Sequence, residues 1–462
     1  MTGPGQEADR RTPHPTGTGC DRLAEACPAR SGTACESHWG RILSPGLHLA
    51  FLGNQDFTLW KFRGPWMKAL REHGCRVTVL SPPGPYVPRL RELGLEVREF
   101  PLDRTGLSLP AEWRTIRELG AGLAELRPDL LHVFMAKPVI YGCLAAHRTP
   151  QTRVVATITG LGSIFVHRRF RGMQFLLKTL YRISLRRASR VIFQNADDRE
   201  FFQQHRLIPA SKAVVIRGNG IVMPGRPRLP RDPRALATVL MTARLIESKG
   251  VREYCQAAGR LRQRRPALPS RFVLIGTPDT DSPDALSESE LATLTARHGV
   301  QRLGYQDDVA GWLQQADIFC LPSYREGLSV ACLEAMAHGL PIVTTDAPGC
   351  RDLIEPGVSG LLAPVADAQG LADAIERLLD DAALRARLGE AGRERCQREF
   401  SAERIFPQLA EVYAAVLPTR ADHALPREPH RPAAVARAPA APAEPPGQDI
   451  AVGLTSMPRQ SA

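Results

Sequence analysis

The stretch Leu321–Pro364, LPSYREGLSVACLEAMAHGLPIVTTDAPGCRDLIEPGVSGLLAP, decides the fold. It is entered through Asp317-Ile-Phe-Cys-Leu321, a short apolar run of the kind that makes a buried strand. Pro322 and Ser323 end that strand, and a loop carries Tyr324, Arg325, Glu326 and Gly327. Ser329 is placed to cap a helix whose apolar residues Val330, Leu333, Ala337 and Leu340 recur three or four apart. Gly339 and Pro341 stop the helix, and Ile342–Thr345 reads as the next strand. Strand, loop, helix, strand is the unit of an open parallel sheet. Such sheets bind ligands beyond the carboxyl ends of their strands, where Glu326 falls. Glu334 follows eight residues later, in the second or third turn of the helix.

The backbone N–H groups of Gly327, Leu328 and Ser329 stand at a helix N-terminus, a seat for a phosphate or diphosphate. Phosphates would repel a carboxylate beside that seat, so its natural partners are hydroxyls, as on a sugar or ribose. Two carboxylates and an anion seat together suggest a sugar nucleotide. On spacing alone the alternative stays open: Glu326 a loop residue and Glu334 a solvated helix carboxylate.

The flanking pattern narrows this. EGLSVACLEAMAHGLPIV (326–343) followed by GVSGLL (357–362) resembles the signature of glycosyltransferase family 4, retaining enzymes of the GT-B fold. The resemblance implies that Glu326 contacts the donor sugar and Glu334 the ribose of its nucleotide. Thr242-Ala-Arg-Leu-Ile-Glu-Ser-Lys-Gly250, directly after a strand, resembles the family's R-x4-K-G element, in which Arg244 and Lys249 hold the donor diphosphate. Cations there would neutralise charge on a departing nucleoside diphosphate. Val273–Gly276 and Leu303–Tyr305 match the loops around the nucleotide base, which brings in Gly276 and Gly304.

Outward from this region the same alternation recurs. Leu47–Leu52, Arg76–Leu80, Glu96–Phe100, Leu130–Phe134, Arg153–Thr157 and Arg190–Phe193 read as strands of a first half, with a helix around Gly64–His73. Thr238–Thr242, Arg271–Ile275, Ile318–Leu321 and Ile342–Thr345 read as strands of a second. The expected fold is α/β: GT-B, two Rossmann-like doubly wound domains facing across a cleft, with disordered termini. The predicted divisions are an extension over 1–45, an acceptor-binding domain over 46–222, a donor-binding domain over 233–417 and a Pro/Ala-rich tail over 418–462. The linker falls near VMPGRPRLPRD (222–232), and SAERIFPQLAEVYAAVL (401–417) matches a closing helix that crosses back to the first half.

Asn54–Arg63, Ser81–Tyr86, Lys137–Gly142, Thr157–Gly162 and Ala347–Asp352 resemble one branch of the family. Its members transfer sugars, often N-acetylhexosamines, onto undecaprenyl-diphosphate-linked saccharides in bacterial O-antigen, capsule and glycoprotein glycan synthesis. The resemblance, which covers 46–417, implies acceptor-side roles for Asn54, Asp56, Arg63, Lys137, His132, Thr159 and Gly160. One departure stands out: many family members carry a histidine where this chain has Phe134 or Thr159. His132 is the nearest candidate, with a strand-end structural histidine as its alternative.

Composition sets the remaining limits. The 462 residues carry a formal charge of +12, compatible with nucleic acid, a membrane surface or acidic substrates. No nucleic-acid motif accompanies the basic residues, so nucleic acid is not an expected partner. The ten cysteines form no C-x-x-C pair and several sit in apolar runs, which points to a reducing cytosol. No metal is expected; Asp307-Asp308 are adjacent, and Asp279-Thr-Asp281 has no evident tie to the cleft. With no signal-peptide core and no run of about 18 apolar residues, the chain is expected in the cytoplasm, peripheral to the inner membrane. In 167–190, Met173, Leu176, Leu177, Leu180 and Ile183 share a helical face beside a stripe of Lys178, Arg182 and Arg186, the composition of an interfacial helix. The alternative is a helix packing that face on its own sheet. Two other functions stay open: a sugar-nucleotide epimerase of the same architecture, and a non-catalytic binding scaffold. The scaffold is expected to have lost one of Arg244, Lys249, Glu326 or Glu334, and all four are present.

Overall fold

A computed structural model describes residues 42–418, except 104, 105, 107, 226–235 and 268. The expected extension (1–41 of it), most of the linker and all but the first residue of the tail lie outside the described residues. Strand and helix alternate as the sequence predicts. The first half runs β1 (His48–Leu52), α1 (Asp56–Glu72), β2 (Arg76–Ser81), α2 (Val87–Glu92), β3 (Glu96–Glu99), α3 (Leu109–Leu126), β4 (Leu130–Phe134) and α4 (Ala136–Ala145). It continues with β5 (Arg153–Ile158), α5 (Arg171–Ser184), β6 (Arg190–Phe193), α6 (Ala196–Gln204) and β7 (Ala213–Val215). The second half opens with β8 (Ala237–Thr242), α7 (Val251–Arg264), β9 (Ser270–Ile275), α8 (Glu288–His298), β10 (Gln301–Gly304) and α9 (Val309–Gln315). It closes with β11 (Ile318–Leu321), α10 (Val330–Ala337), β12 (Ile342–Thr345), β13 (Gly360–Ala363), α11 (Ala368–Asp380), α12 (Ala382–Arg395) and α13 (Ala402–Ala414).

Every strand pairing within the two sheets is parallel. The strand orders are β3-β2-β1-β4-β5-β6-β7 and β10-β9-β8-β11-β12-β13. Each order reverses once, between β1 and β4 and between β8 and β11, and ligands of open sheets bind at such switch points. The central strands are predominantly apolar because helices cover both of their faces; all five residues of β1 and of β4 are buried.

Two differences from the sequence reading have local causes. Gly64-Pro65 looks like a helix start, yet α1 begins two turns earlier, because burial of Leu59, Trp66, Met67 and Leu70 on one core holds the whole segment helical. The edge strands β7 and β13 are three and four residues long, too short to show a period. The helix α13 belongs to the first half's core. Its Ile405, Phe406, Leu409 and Tyr413 pack with Leu49, Phe51 and Trp66, and Trp66 Nε1–H donates to the Tyr413 hydroxyl at 3.1 Å. Chain segments pass between the halves side by side, Ile221 and Ser401 forming a parallel bridge.

Candidate functional site

The switch point of the second sheet gathers most of the residues singled out in the sequence. Glu326 follows β11 and Lys249 follows β8, and their side chains form an ion pair, both mostly buried. The two loops are tied together in other ways. Tyr324 N–H and the Ser323 hydroxyl both donate to the Ser248 carbonyl, at 2.8 and 3.1 Å, and the Tyr324 hydroxyl donates to Glu253 at 2.8 Å. Asp284 braces the Lys249 loop, its carboxylate accepting from Ser248 N–H at 3.1 Å and the Ser282 hydroxyl at 2.6 Å. These bonds hold its pKa below the usual carboxylate range against the opposing effect of burial.

Ser329 caps α10 as its sequence predicts, its hydroxyl accepting from Cys332 N–H at 3.3 Å. Glu334 sits in the second turn of α10, 26% exposed, with Lys61 Nζ at 3.3 Å. Lys61 belongs to α1 and so reaches across from the other half. Arg244 is 58% exposed and its Nη1 lies 2.5 Å from Asp279 Oδ2, which supplies the tie to the cleft that the sequence left unseen for Asp279. Asp308 caps α9 by accepting from Gly311 N–H at 2.8 Å. Gly276 and Gly304 meet at the adjoining strand ends, Gly276 N–H donating to the Gly304 carbonyl at 2.8 Å, both with positive φ.

The loop that carries Glu326 is held from both sides. Beneath it, Glu326 N–H donates to the Pro348 carbonyl at 3.0 Å, and Gly349 packs against the Glu326 carbonyl too closely for a side chain. From the first half, Asn195 Nδ2 donates to the carbonyls of Glu326 and Gly327 at 3.2 and 2.7 Å, and Asp198 pairs with Arg325. Gly160, at φ +109°, presses on the same loop: a Cβ there would meet Gly327 N at 2.7 Å. Thr159 and Gly160 thus lie directly against Gly327.

The other acceptor-side candidates divide. Asn54, at the end of β1, has a buried Oδ1 with no hydrogen-bond partner among the described residues. Asp56 is structural in its contacts, Oδ2 accepting from Tyr86 N–H at 2.6 Å and Oδ1 from Phe57 N–H at 2.8 Å. Arg63 turns into the first half, bonded to Asn219 and lying 4.3 Å over the Phe134 ring; burial lowers its pKa to about 9. Lys137 donates to the carbonyls of Asp103 and Gly106 at 2.8 and 2.5 Å and pairs with Glu112 at 2.8 Å. His132 is 1% exposed, in the middle of β4, with Nδ1 2.5 Å from the Tyr413 hydroxyl and Nε2 2.7 Å from Thr157 Oγ1. Burial, helped by the Arg63 charge, pushes its pKa well below the ordinary value. The structure therefore brings Asn54, Thr159 and Gly160 to the switch points and takes Arg63, Lys137 and His132 into packing contacts.

Asn195, Asp198, Lys61 and Asp284 were not visible in the sequence, because each acts through a partner far along the chain. Near the switch point of the first sheet, Met135 adopts φ +73°, ψ 164°, a region that costs a non-glycine residue on the order of 1–3 kcal/mol. Seven described cysteines are free and buried, and burial pushes the Cys350 thiol beneath Glu326 up to about 12. Along α5 the apolar stripe splits: Leu177 and Leu180 pack on the core, while Leu176 and Ile183 are 46% and 49% exposed, and Phe175 beside them is 71% exposed. Arg182 of that helix donates to the carbonyls of His205 and Arg206, at 2.8 and 3.3 Å. No helix among the described residues is long and apolar enough to cross a membrane. A separate groove of about 450 Å³ is lined by Val215, Arg217, Glu399, Arg404 and Ile405 and includes none of the candidate residues.

Residues 237–381 match the family described as glycosyl transferases group 1, and residues 48–195 match glycosyl transferase 4-like proteins. Over 360 residues the chain is 31% identical to the N,N'-diacetylbacillosaminyl-diphospho-undecaprenol alpha-1,3-N-acetylgalactosaminyltransferase of Campylobacter jejuni, spanning 74% of this chain and 92% of that protein. The capsular polysaccharide biosynthesis glycosyltransferase CapM of Staphylococcus aureus is 27% identical over 174 residues, 38% of this chain and 45% of the relative. Among solved structures, Anabaena HepE in complex with UDP and glucose superposes with a TM-score of 0.63 at 21% identity, covering 80% of this chain and 100% of that one. A glycosyltransferase from Rickettsia africae gives 0.63 at 18% identity over 81% of this chain and 99% of its own.

Proposed function

The chain belongs to the group 1 glycosyltransferases, glycosyltransferase family 4, and on that footing we propose that it moves an N-acetylhexosamine from a UDP-sugar to an undecaprenyl-diphosphate-linked saccharide. It is a glycosyltransferase with the GT-B fold. The observation that carries the finer reading is the placement of Glu326 and Glu334 on one loop–helix unit, with Lys249 paired to the first and the Gly327–Ser329 amides between them. The likeness to a lipid-linked N-acetylgalactosaminyltransferase over nearly its whole length supports the choice of acceptor.

In this reading the second half binds the donor. Lys249, Arg244 and the α10 N-terminus hold the diphosphate, Glu326 accepts from sugar hydroxyls and Glu334 from ribose hydroxyls. Gly304, with open space where a side chain would stand, leaves room for the base at the neighbouring strand ends, and Gly276 lets its strand end pack against the Ala243 carbonyl. The acceptor enters from the first half, past Thr159 and Gly160, with the unpartnered Asn54 Oδ1 ready to accept from a hydroxyl. The bond from the sugar's anomeric carbon to the phosphate oxygen breaks and its electron pair leaves with the nucleoside diphosphate. The acceptor oxygen bonds the same face, so the configuration is retained, and its proton passes to the leaving phosphate. The charge that develops on that phosphate meets cationic side chains, so the reading takes no metal.

The enzyme in this reading works on the cytoplasmic face of the inner membrane, where its acceptor's lipid is anchored. The exposed Phe175, Leu176 and Ile183 of α5, flanked by Arg171 and Arg186, support contact with an anionic surface. The test is transfer of labelled sugar from UDP- and GDP-sugars to undecaprenyl-diphosphate-linked acetamido saccharides, with Glu326→Ala alongside. Label reaching lipid from a UDP-N-acetylhexosamine with the intact protein alone is the expected result. Transfer from another donor only, or an epimer formed without acceptor, overturns the reading.

A further inference from the structure

A cation from the opposite half stands on the Glu334 carboxylate. Lys61 lies in the second turn of α1, its ammonium 3.3 Å from Glu334 Oε1, with the two side chains 31% and 26% exposed. An ion pair this open to water contributes little to stability, typically 1 kcal/mol or less. Its position is more informative than its strength. Glu334 stands five residues past Ser329, so along α10 it is roughly 7.5 Å from the candidate diphosphate seat. A lysine ammonium on its flexible stem spans such a gap by changing rotamer.

Neighbouring cations are committed elsewhere. Arg63 is buried against Asn219 and Phe134, Lys68 pairs with Glu72 at 3.6 Å, and Arg325 pairs with Asp198. Around the seat, then, Lys249 answers Glu326 and Lys61 answers Glu334, two neutral pairs. A nucleoside diphosphate changes that balance in two ways at once. Its ribose hydroxyls take over Glu334 as their acceptor, and its phosphates bring negative charge to the α10 N-terminus.

We propose that Lys61 is a donor-phosphate ligand supplied by the first half: when ribose claims Glu334, the released ammonium turns to the diphosphate. The second half would otherwise bind the donor alone, so this contact makes donor binding depend on the two halves being together. The inference rests on the reading of Glu334 as the ribose residue, and the test separates the two.

Binding of uridine and of UDP is measured by calorimetry on the full-length protein, for the wild type, Lys61→Met, Lys61→Arg and Glu334→Gln. A lysine that merely competes for Glu334 and one that holds phosphate give opposite signs. The expected result is that Lys61→Met binds uridine as well as or better than wild type, since Glu334 is freed, and binds UDP about tenfold more weakly. Lys61→Arg keeps the charge and most of the UDP affinity. Tighter UDP binding by Lys61→Met, or an equal loss for uridine and UDP, overturns the proposal. If Glu334→Gln leaves uridine affinity unchanged, the ribose reading itself falls.

Discussion

Asp198, in the first turn of α6, and Arg325, in the loop after β11, form an ion pair that joins the two halves, with the Asp198 side chain wholly buried and that of Arg325 20% exposed. Burial pushes the Asp198 carboxyl above the usual range, and the Arg325 charge and hydrogen bond work against that rise. The residue after Arg325 is Glu326, whose carbonyl is already held by Asn195. The backbone that aims Glu326 is therefore fixed by the half that does not carry it.

Breaking this pair leaves a buried charge without its partner, at a cost of about 3–5 kcal/mol. Asp198→Leu is expected to lower the free energy of urea unfolding by that order and to slow turnover. The double variant Asp198→Leu/Arg325→Met, which buries no orphan charge, should recover much of the stability but not the turnover. A double variant no more stable than the single one would show that the two charges are not coupled.

Glu326→Gln keeps the shape of the side chain and removes the charge facing Lys249. Turnover should fall by about 10²-fold or more, as for other charge-organising groups, while UDP still binds through the remaining contacts. Steady-state kinetics set beside UDP titration check this. Undiminished turnover would end the assignment of Glu326.

Gly160 combines φ +109° with a backbone neighbour, Gly327 N, 2.7 Å from where a Cβ would stand. Gly160→Ala has to separate its loop from Gly327 or strain the backbone. A displacement of this size in a reacting geometry costs on the order of 10²-fold in rate. The expected outcome is that loss with little change in melting temperature, since the clash lies between loops and not in either core.

His48 gives a stability signature in acid. It is 8% exposed, its Nε2 is 2.8 Å from Thr78 Oγ1, and burial, with the Arg76 charge, lowers its pKa to about 4. The unfolded chain takes up this proton below pH 6.5 and the folded chain does so only near 4. Between those values the unfolded state binds more protons, so stability drains away as pH falls, by up to about 1.4 kcal/mol per pH unit from this group. His48→Gln removes that contribution. Urea midpoints from pH 7 to 4.5 should decline less steeply for the variant; parallel curves would contradict the assignment.

The outward residues of α5 predict a surface-binding phenotype. Phe175→Asp/Ile183→Asp should weaken partitioning onto phosphatidylglycerol vesicles, read by co-flotation, by about a hundredfold or more, given about 1.5–3 kcal/mol for each apolar side chain withdrawn from water. Transfer to a short, water-soluble acceptor should be unaffected. Equal flotation of variant and wild type would place the membrane contact elsewhere.

The central strands were legible in the sequence because strands covered on both faces are predominantly apolar: His48–Leu52, Leu130–Phe134 and Ile318–Leu321 announce themselves. Once those strands are placed, loop residues such as Arg244, Lys249 and Glu326 follow at their carboxyl ends. The helix cap at Ser329 was legible for the same local reason. The clamp from Asn195 and Asp198, the reach of Lys61, and the pairing of Arg244 with Asp279 were not. Each joins residues 35 or more apart in sequence, and no periodicity encodes such a partner. His132 shows the converse limit. Its place on a strand was plain, but whether a histidine there faces a substrate or a core depends on α13, whose Tyr413 closes over it.

The return of α13 to the first half also sets an order of events during synthesis. Ile405, Phe406, Leu409 and Tyr413 complete the layer over Leu49, Phe51 and Trp66, yet a ribosome adds them only after the whole second half. While the second half emerges, the first sheet waits with that apolar face open, exposed to chaperones and to other nascent chains. A fragment ending near residue 225 inherits the same open face and should be insoluble when expressed alone. The enzyme's first-made domain is the last to be finished.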